Sequence, residues 1–193
     1  LGSSTNFSLR NAWHDTSKKE AAKKGIARHE ILEKYVKGCI ELGGGVVDTL
    51  AIKELNEIQS FIDWARKNIK RFLWSELHCY NEDLWIGGIA DVGWEDMQGR
   101  IVAGDFKSSK EAYFDQFIQI AGYDLEISHS GGLDRDGNKI FDLEKPIQGY
   151  CVIPFGGETL AVGDTGTDVT TPSGTGAVVS GGIATVCEPG SSV

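Results

Sequence analysis

Long apolar runs are absent from this sequence, and no stretch approaches the roughly 18 consecutive apolar residues that indicate a transmembrane helix. The start of the chain lacks the basic-then-apolar pattern of a signal peptide. Cysteine is scarce: four residues are spread from Cys39 to Cys187 without a C-x-x-C pair, so neither a disulfide framework nor an iron–sulfur cluster is expected. These absences predict a cytoplasmic protein with no membrane partner.

Positive charge is also in short supply, and it is unevenly distributed. The chain has 19 basic and 28 acidic residues, a net charge of -9, which ordinarily argues against a nucleic-acid partner. Residues 1–75 carry 13 basic and 9 acidic residues, leaving 6 and 19 for residues 76–193. Two readings stay open: the two parts form differently charged solvated faces, or basic residues near one end bind phosphates while acids elsewhere bind cations. The basic residues in question are Lys18, Lys19, Lys23, Lys24 and Arg28.

The 193 residues are enough for one domain, or for one domain with an appendage. The first residue is Leu1 rather than Met, and we interpret residues 1–16 as a lead that a truncation could have shortened. Residues 17–155 have the composition of a folded domain. Residues 156–193 contain nine glycines and no Lys or Arg, which predicts a loosely ordered tail or a β-prone appendage.

Apolar periodicity predicts a mixed α/β domain. Ser17 and Glu20 have capping-box spacing and predict the start of a helix that Gly43 ends. The further predicted elements are a helix over 55–68, strands over 72–80, 84–94 and 100–107, a helix over 112–128, a turn over 134–138 and a strand over 147–155. Short turns between the three strands predict an antiparallel meander. The last strand follows a helix and can therefore lie parallel to its neighbour.

Two of the predicted strands end in carboxylates within apolar, glycine-rich surroundings: Asp91 follows Gly-Gly-Ile-Ala, and Asp105 lies two residues before Lys107. Residues i and i+2 of a strand share a face, so Asp105 and Lys107 project together. If the strands pair through the short turn between them, Asp91 lies close to Asp105. Two neighbouring buried carboxylates repel each other unless they are protonated or bridged by a cation, and hard oxygen ligands suit Mg²⁺ or Mn²⁺. Taken singly, each of these residues is more often a turn, edge or solvated residue, and it is their combination on two strands that favours a site.

The ordered set of motifs resembles the PD-(D/E)XK nuclease superfamily, and within it the RecB-like and phage-type exonuclease branch. The matching segments are Gly25-Ile-Ala-Arg-His29, Gly-Ile-Ala-Asp91, Gly-Asp105-Phe-Lys107-Ser-Ser and Gln119-Ile-Ala-Gly-Tyr123. They extend over roughly residues 20–155. The resemblance implies a restriction-endonuclease-like core in the order α-α-β-β-β-α-β, with a mixed sheet flanked by helices.

The resemblance also implies roles for individual residues. The metal ligands would be His29, Asp91, Asp105 and the backbone carbonyl of Phe106, and the catalytic lysine would be Lys107. Gln119 and Tyr123, four residues apart on one helix face, would line the site and contact the DNA backbone or the lysine. Glu76 lies where related nucleases often have an additional acid, although an exposed strand glutamate is an equally good interpretation.

The implied activity is Mg²⁺- or Mn²⁺-dependent hydrolysis of DNA phosphodiester bonds. The enzyme would be an exonuclease of phage-type recombination or repair that acts on linear or single-stranded DNA ends. It would act in the cytoplasm, which is the host cytoplasm if a phage encodes it. Three alternatives remain. The first is an endonuclease of the same fold, of the restriction or CRISPR-adaptation type. The second is a catalytically silent DNA-binding protein, and the third is a globular domain without a nucleic-acid function. The resemblance leaves open a homo-oligomer and a recombination partner protein.

Overall fold

A single mixed β-sheet with helices on both faces forms the framework of the protein. The structure is a computed structural model that describes residues 4–109, 113–155 and 183–186. Its elements are α1 (Ser4–Glu41), a 3₁₀ helix (Leu55–Ile58), α2 (Gln59–Asn68), β1 (Ile69–Asn81), β2 (Ile86–Asp96), β3 (Ile101–Lys107), α3 (Phe114–Ser130), β4 (Gly132–Leu133), β5 (Lys139–Phe141), β6 (Gly149–Pro154) and β7 (Ile183–Val186). The predicted α/β class is confirmed.

The strand order is β5-β4-β1-β2-β3-β6-β7. Strands β1, β2 and β3 form the predicted antiparallel meander, and β6 lies parallel to β3, as expected for a strand that a helix connects to the sheet. The short hairpin of β4 and β5 encloses the predicted turn at 134–138, but its two- and three-residue strands were not predicted. Such short strands have no readable alternation.

The predicted N-cap of the first helix is wrong. Helix α1 begins at Ser4, so Ser17 lies inside it, because residues 4–24 contain no glycine or proline that would end a helix. The predicted C-terminal end is confirmed: α1 ends at Glu41, and Gly43 and Gly44 follow with φ values of 102° and 89°.

Of the predicted tail, the structure describes residues 183–186. Residues 183–186 form β7, which pairs in parallel with β6 at one edge of the sheet. Residues 156–182 and 187–193 lie outside the described residues, as do residues 1–3 of the lead. Among the described helices, none is both long and apolar enough to span a membrane.

Each face of the sheet has its own hydrophobic core. Helices α1 and α2 cover one face, where Tyr35 and Phe61 pack against Phe72 of β1. Helix α3 covers the other face, where Ile120 and Ile127 belong to the second core. Side chains that point to opposite faces of one strand can therefore meet different helices, which matters for the site described below.

Gly93 of β2 permits the close packing of an aromatic ring against the sheet. A Cβ atom added at Gly93 would lie 2.1 Å from the indole of Trp74, well inside van der Waals contact. We expect Gly93→Ala to lower the free energy of unfolding by at least about 1–3 kcal/mol, the usual cost of overpacking a core. Urea denaturation of the full chain measures this change.

Gly45→Ala is the matched control, because an added Cβ there has nothing within 4 Å. Equal unfolding free energies for the two variants would contradict the tight packing of Trp74 over Gly93.

Candidate functional site

The site lies where strands β2 and β3 separate. Their pairing ends at Val92 and Gly104, and Asp91 and Asp105 are the next residues along the two strands. Beyond this point β3 pairs only with β6 among the described strands. The backbone amide of Phe106 is thus free to donate to Asp91 Oδ2, at 2.8 Å. The separation creates an opening in the sheet that helices on both faces can reach.

Backbone irregularities at Glu76 and Asp91 turn these residues out of the regular pleat. Glu76 has a φ of 52°, which lets Trp74 and Leu77, three residues apart, enter the same core on the α3 face. Ala90 and Val92 flank Asp91, and they belong to opposite cores although a regular strand would point them to one face. Positive φ at a residue other than glycine is strained and concentrates at functional sites.

On the α1 face, His29 and Glu33 of helix α1 meet Glu76 of β1. One ligand atom from each of these three side chains lies within 4.8 Å of the other two. His29 Nε2 also lies 3.3 Å from Asp91 Oδ2. We call these four residues the α1-side cluster. Glu33 was not predicted as a site residue, although its spacing of four from His29 places both on one helix face and could have identified it.

Gly25 explains how α1 comes so close to the end of β3. A Cβ atom added at Gly25 would lie 2.8 Å from Cβ of Ser108, so the helix can cross here only because residue 25 has no side chain. His29 lies one turn further along α1, and its ring packs edge-on against Phe106, with centroids 5.9 Å apart. The glycine of the Gly25-x-x-x-His29 motif therefore sets the depth at which the histidine enters the site.

On the α3 face, four side chains form a closed chain of polar contacts. Lys107 Nζ donates to Gln119 Oε1 at 2.8 Å, Gln119 Nε2 donates to the Tyr123 hydroxyl at 2.7 Å, and this hydroxyl donates to Asp105 Oδ1 at 3.4 Å. An ion pair of 2.5 Å between Lys107 Nζ and Asp105 Oδ2 links the last residue of this series back to the first. We call these residues the α3-side ring. Every contact in the ring pairs one donor with one acceptor, and the ring therefore holds Lys107 at a defined position.

The carboxyl groups of the site repel one another. Burial, followed by the charge of Asp91, raises the pKa of Asp105 from 3.8 to about 6, although Lys107 and Tyr123 oppose the shift. Burial and the charges of Asp91 and Glu33 likewise raise the pKa of Glu76. The contact with Asp91 raises the pKa of His29. Ionised acids gathered in this way favour a bound cation.

Every residue predicted for the site lies in one of the two groups or between them. Asp91 and Asp105 are next to each other at the separated strands, and Phe106 joins them through its amide. The carbonyl of Phe106 remains a predicted ligand, since the contacts described here involve its amide and ring. The side chains of the two groups belong to α1 (His29, Glu33), β1 (Glu76), β2 (Asp91), β3 (Asp105, Lys107) and α3 (Gln119, Tyr123).

The donor set fits a divalent cation. Asp105 is 1% exposed, and the close partner of its Oδ2 atom is the Lys107 ammonium, at 2.5 Å. A buried carboxylate is costly unless its charge is compensated, and a cation would add to the compensation that Lys107 provides. Carboxylates suit Mg²⁺ and Mn²⁺, and the imidazole of His29 adds a ligand that transition metals accept readily.

Comparisons of this chain with protein-family models, curated proteins and solved structures gave no match. The chemistry of the site therefore rests on its own geometry.

The raised pKa of Asp105 predicts a pH-dependent stability. An acid with a raised pKa costs folding free energy when it is ionised, so this cost is present above about pH 6 and disappears as the pH falls towards 3.8. In EDTA at about pH 7.5, we expect Asp105→Asn to melt at a higher temperature than the unmodified protein, with a difference that shrinks below about pH 6. Thermal melts across this pH range measure the effect.

Asp136→Asn, which changes an exposed acid in the turn between β4 and β5, serves as the control and should not alter the pH dependence. A lower melting temperature for Asp105→Asn at every pH would show that the ion pair with Lys107 outweighs the burial of the carboxylate.

The α1-side cluster predicts that Glu33 contributes to cation binding. We expect Glu33→Gln to weaken Mn²⁺ binding at least about tenfold, because losing even an indirect partner of a metal site costs that much. Isothermal titration of the full chain with Mn²⁺ measures the affinity. Glu30→Gln is the matched control: Glu30 is an exposed acid on the same helix, next to His29 and outside the cluster. Equal affinities for both variants would exclude Glu33 as a ligand.

Proposed function

We propose that this protein is a divalent-metal-dependent deoxyribonuclease with a PD-(D/E)XK nuclease core, and that it acts as an exonuclease on DNA ends. The observation that carries the proposal is the meeting of Asp91, Asp105 and Lys107 at the separation of β2 and β3. Two carboxylates and one ammonium group at one opening are what phosphodiester hydrolysis needs: ligands for a cation and a fixed positive donor for the phosphate.

Asp91 and Asp105 are the central acids of the proposed reaction. Asp91 is held by the Phe106 amide and by His29, both of which contact Oδ2. Its other oxygen, Oδ1, takes no part in these two contacts, and Asp105 Oδ2 contacts the Lys107 ammonium. These atoms would hold Mg²⁺ or Mn²⁺, with His29 and the Phe106 carbonyl as the further ligands that the sequence predicts. A cation bound there would polarise the scissile phosphate and lower the pKa of a bound water.

Lys107 supplies the positive charge beside the acids. Its side chain is 22% exposed, so it can reach a phosphate at the mouth of the opening while Asp105 and Gln119 hold its position. An ammonium group offers three donors, of which these two contacts leave one for a non-bridging phosphate oxygen or the attacking water. Gln119 and Tyr123 act on the reaction by positioning Lys107 and Asp105 respectively.

The proposal extends to the substrate and its approach. Lys23 and Lys24 are exposed on α1, and they precede the point where Gly25 contacts the end of β3. Positive side chains so close to the opening support DNA as the polyanion that binds there, in spite of the net charge of -9. The side chains of Lys18 and Lys19 lie outside the described residues.

Incubation with DNA tests the proposal directly. We expect linear DNA to be degraded in Mg²⁺ or Mn²⁺ and to stay intact in EDTA. Asp105→Asn and Lys107→Ala should each lower the rate at least about a hundredfold, as expected when a group that stabilises transition-state charge is lost. Gel analysis of linear and closed circular DNA measures the activity, and thermal melts confirm that the variants are folded.

Asp136→Asn is the control and should keep full activity, since Asp136 is an exposed acid in the turn between β4 and β5 and belongs to neither group of the site. Activity that persists in both site variants would overturn the proposed site. Cutting of closed circles would show an endonuclease, and binding without cutting would show a catalytically silent DNA-binding protein.

A further inference from the structure

Helix α3 carries an exposed group of large apolar side chains next to the α3-side ring. Tyr113, Phe114 and Ile118 are 55%, 65% and 58% exposed, respectively. Phe114 and Ile118 are four residues apart and share one face of the helix. Ile118 immediately precedes Gln119, whose side chain holds Lys107. We call Tyr113, Phe114 and Ile118 the aromatic platform.

The first turn of α3 contacts the segment that follows β3. The backbone amide of Tyr113 donates to Gln116 Oε1 at 2.9 Å, and the Gln116 amide donates back to the Tyr113 carbonyl at 3.1 Å. Gln116 Nε2 reaches Ser109 Oγ at 3.5 Å, and Ser109 lies two residues beyond Lys107. The first turn of α3 is therefore tied to the same strand end that carries the lysine.

From this juxtaposition we infer that the platform stacks an unpaired nucleobase of the DNA strand whose phosphate lies at Lys107. The inference rests on the proposed function and deepens it, because it names single-stranded or frayed ends as the preferred substrate. A polynucleotide has a flat apolar base attached to every phosphate, so a strand that places one phosphate at Lys107 brings bases within reach of neighbouring apolar surface.

Charge favours a base over a phosphate at the platform. Asp115 is exposed between Tyr113–Phe114 and the rest of the first turn, and its carboxylate repels phosphate. The strand's backbone therefore follows the Lys107 side, where the ammonium lies, and the base faces the platform. Aromatic side chains bind the π-face of any base, which gives affinity without sequence preference.

The base has to be unpaired. Inside a duplex both faces of a base are already stacked on its neighbours, so a protein ring gains access only at a strand end or on a single strand. The platform therefore favours single-stranded or frayed DNA over an intact duplex, whereas the α3-side ring contacts a phosphate that both forms of DNA have.

Substitution of Phe114 tests the inference. In the full chain with Mn²⁺, we expect Phe114→Ala to raise KM for hydrolysis of single-stranded DNA about tenfold with little change in kcat, since stacking on one ring is lost from ground and transition states alike. Phe114→Trp should restore the KM. A strand of abasic nucleotides should already show the high KM with the unmodified protein, and Phe114→Ala should not raise it further.

Leu125→Ala is the matched control, because Leu125 is an exposed apolar residue of the same helix, two turns beyond the platform. Equal KM values of Phe114→Ala and the unmodified protein on single-stranded DNA would overturn the inference. So would an equal loss on normal and abasic strands, which would indicate a structural defect and no contact with the base.

Bis(p-nitrophenyl) phosphate separates this inference from the proposed function, because it is a phosphodiester without a nucleobase. Phe114→Ala should hydrolyse it as fast as the unmodified protein does, whereas Lys107→Ala should not hydrolyse it. If the unmodified protein hydrolyses this diester, and Phe114→Ala and the unmodified protein have the same KM on single-stranded DNA, the nuclease activity stands and the stacking is wrong. If the unmodified protein hydrolyses neither the diester nor any DNA, the proposed function fails and the inference fails with it.

Discussion

The repulsion between Asp91 and Asp105 is the constraint on which the site depends. Two carboxylates at the same point of paired strands, one of them 1% exposed, cannot both be ionised at low cost. The structure offsets this cost with three devices: strand separation that gives Asp91 the Phe106 amide, an ammonium against Asp105, and an imidazole against Asp91. Each device also leaves the acids directed towards a common opening, where a cation would complete the compensation.

The two helices that contact the acids approach from opposite faces of the sheet. Helix α1 brings His29 to Asp91 and Glu33 to Glu76, and α3 brings Tyr123 to Asp105. This arrangement is possible only because the sheet is open at that point. A continuous ladder between β2 and β3 would leave the side chains of each face with one helix alone. The separation of the strands, more than any single residue, therefore combines the two groups into one site.

Sequence reasoning recovered most of the fold and its errors have physical causes. Strong apolar periodicity located α3 and the meander within a few residues, whereas Ser17 was misread as a cap because nothing in the preceding residues ends a helix. The strands β4 and β5 are too short to show alternation. Glu33 was missed since an acid on a helix looks like any solvated residue until Glu76 is placed opposite it.

The side chains that make up the candidate site can be read from the amino-acid sequence. The order and spacing of Asp91, Asp105, Lys107, Gln119 and Tyr123 place carboxylates on adjacent strands and their polar partners one helical turn apart, because strand and helix periods are local properties of the backbone. Which faces meet depends on long-range packing. The positive φ of Glu76, the face change at Asp91 and the separation of β2 from β3 occur where two helices pack against the sheet, and such long-range contacts leave no local pattern in the chain.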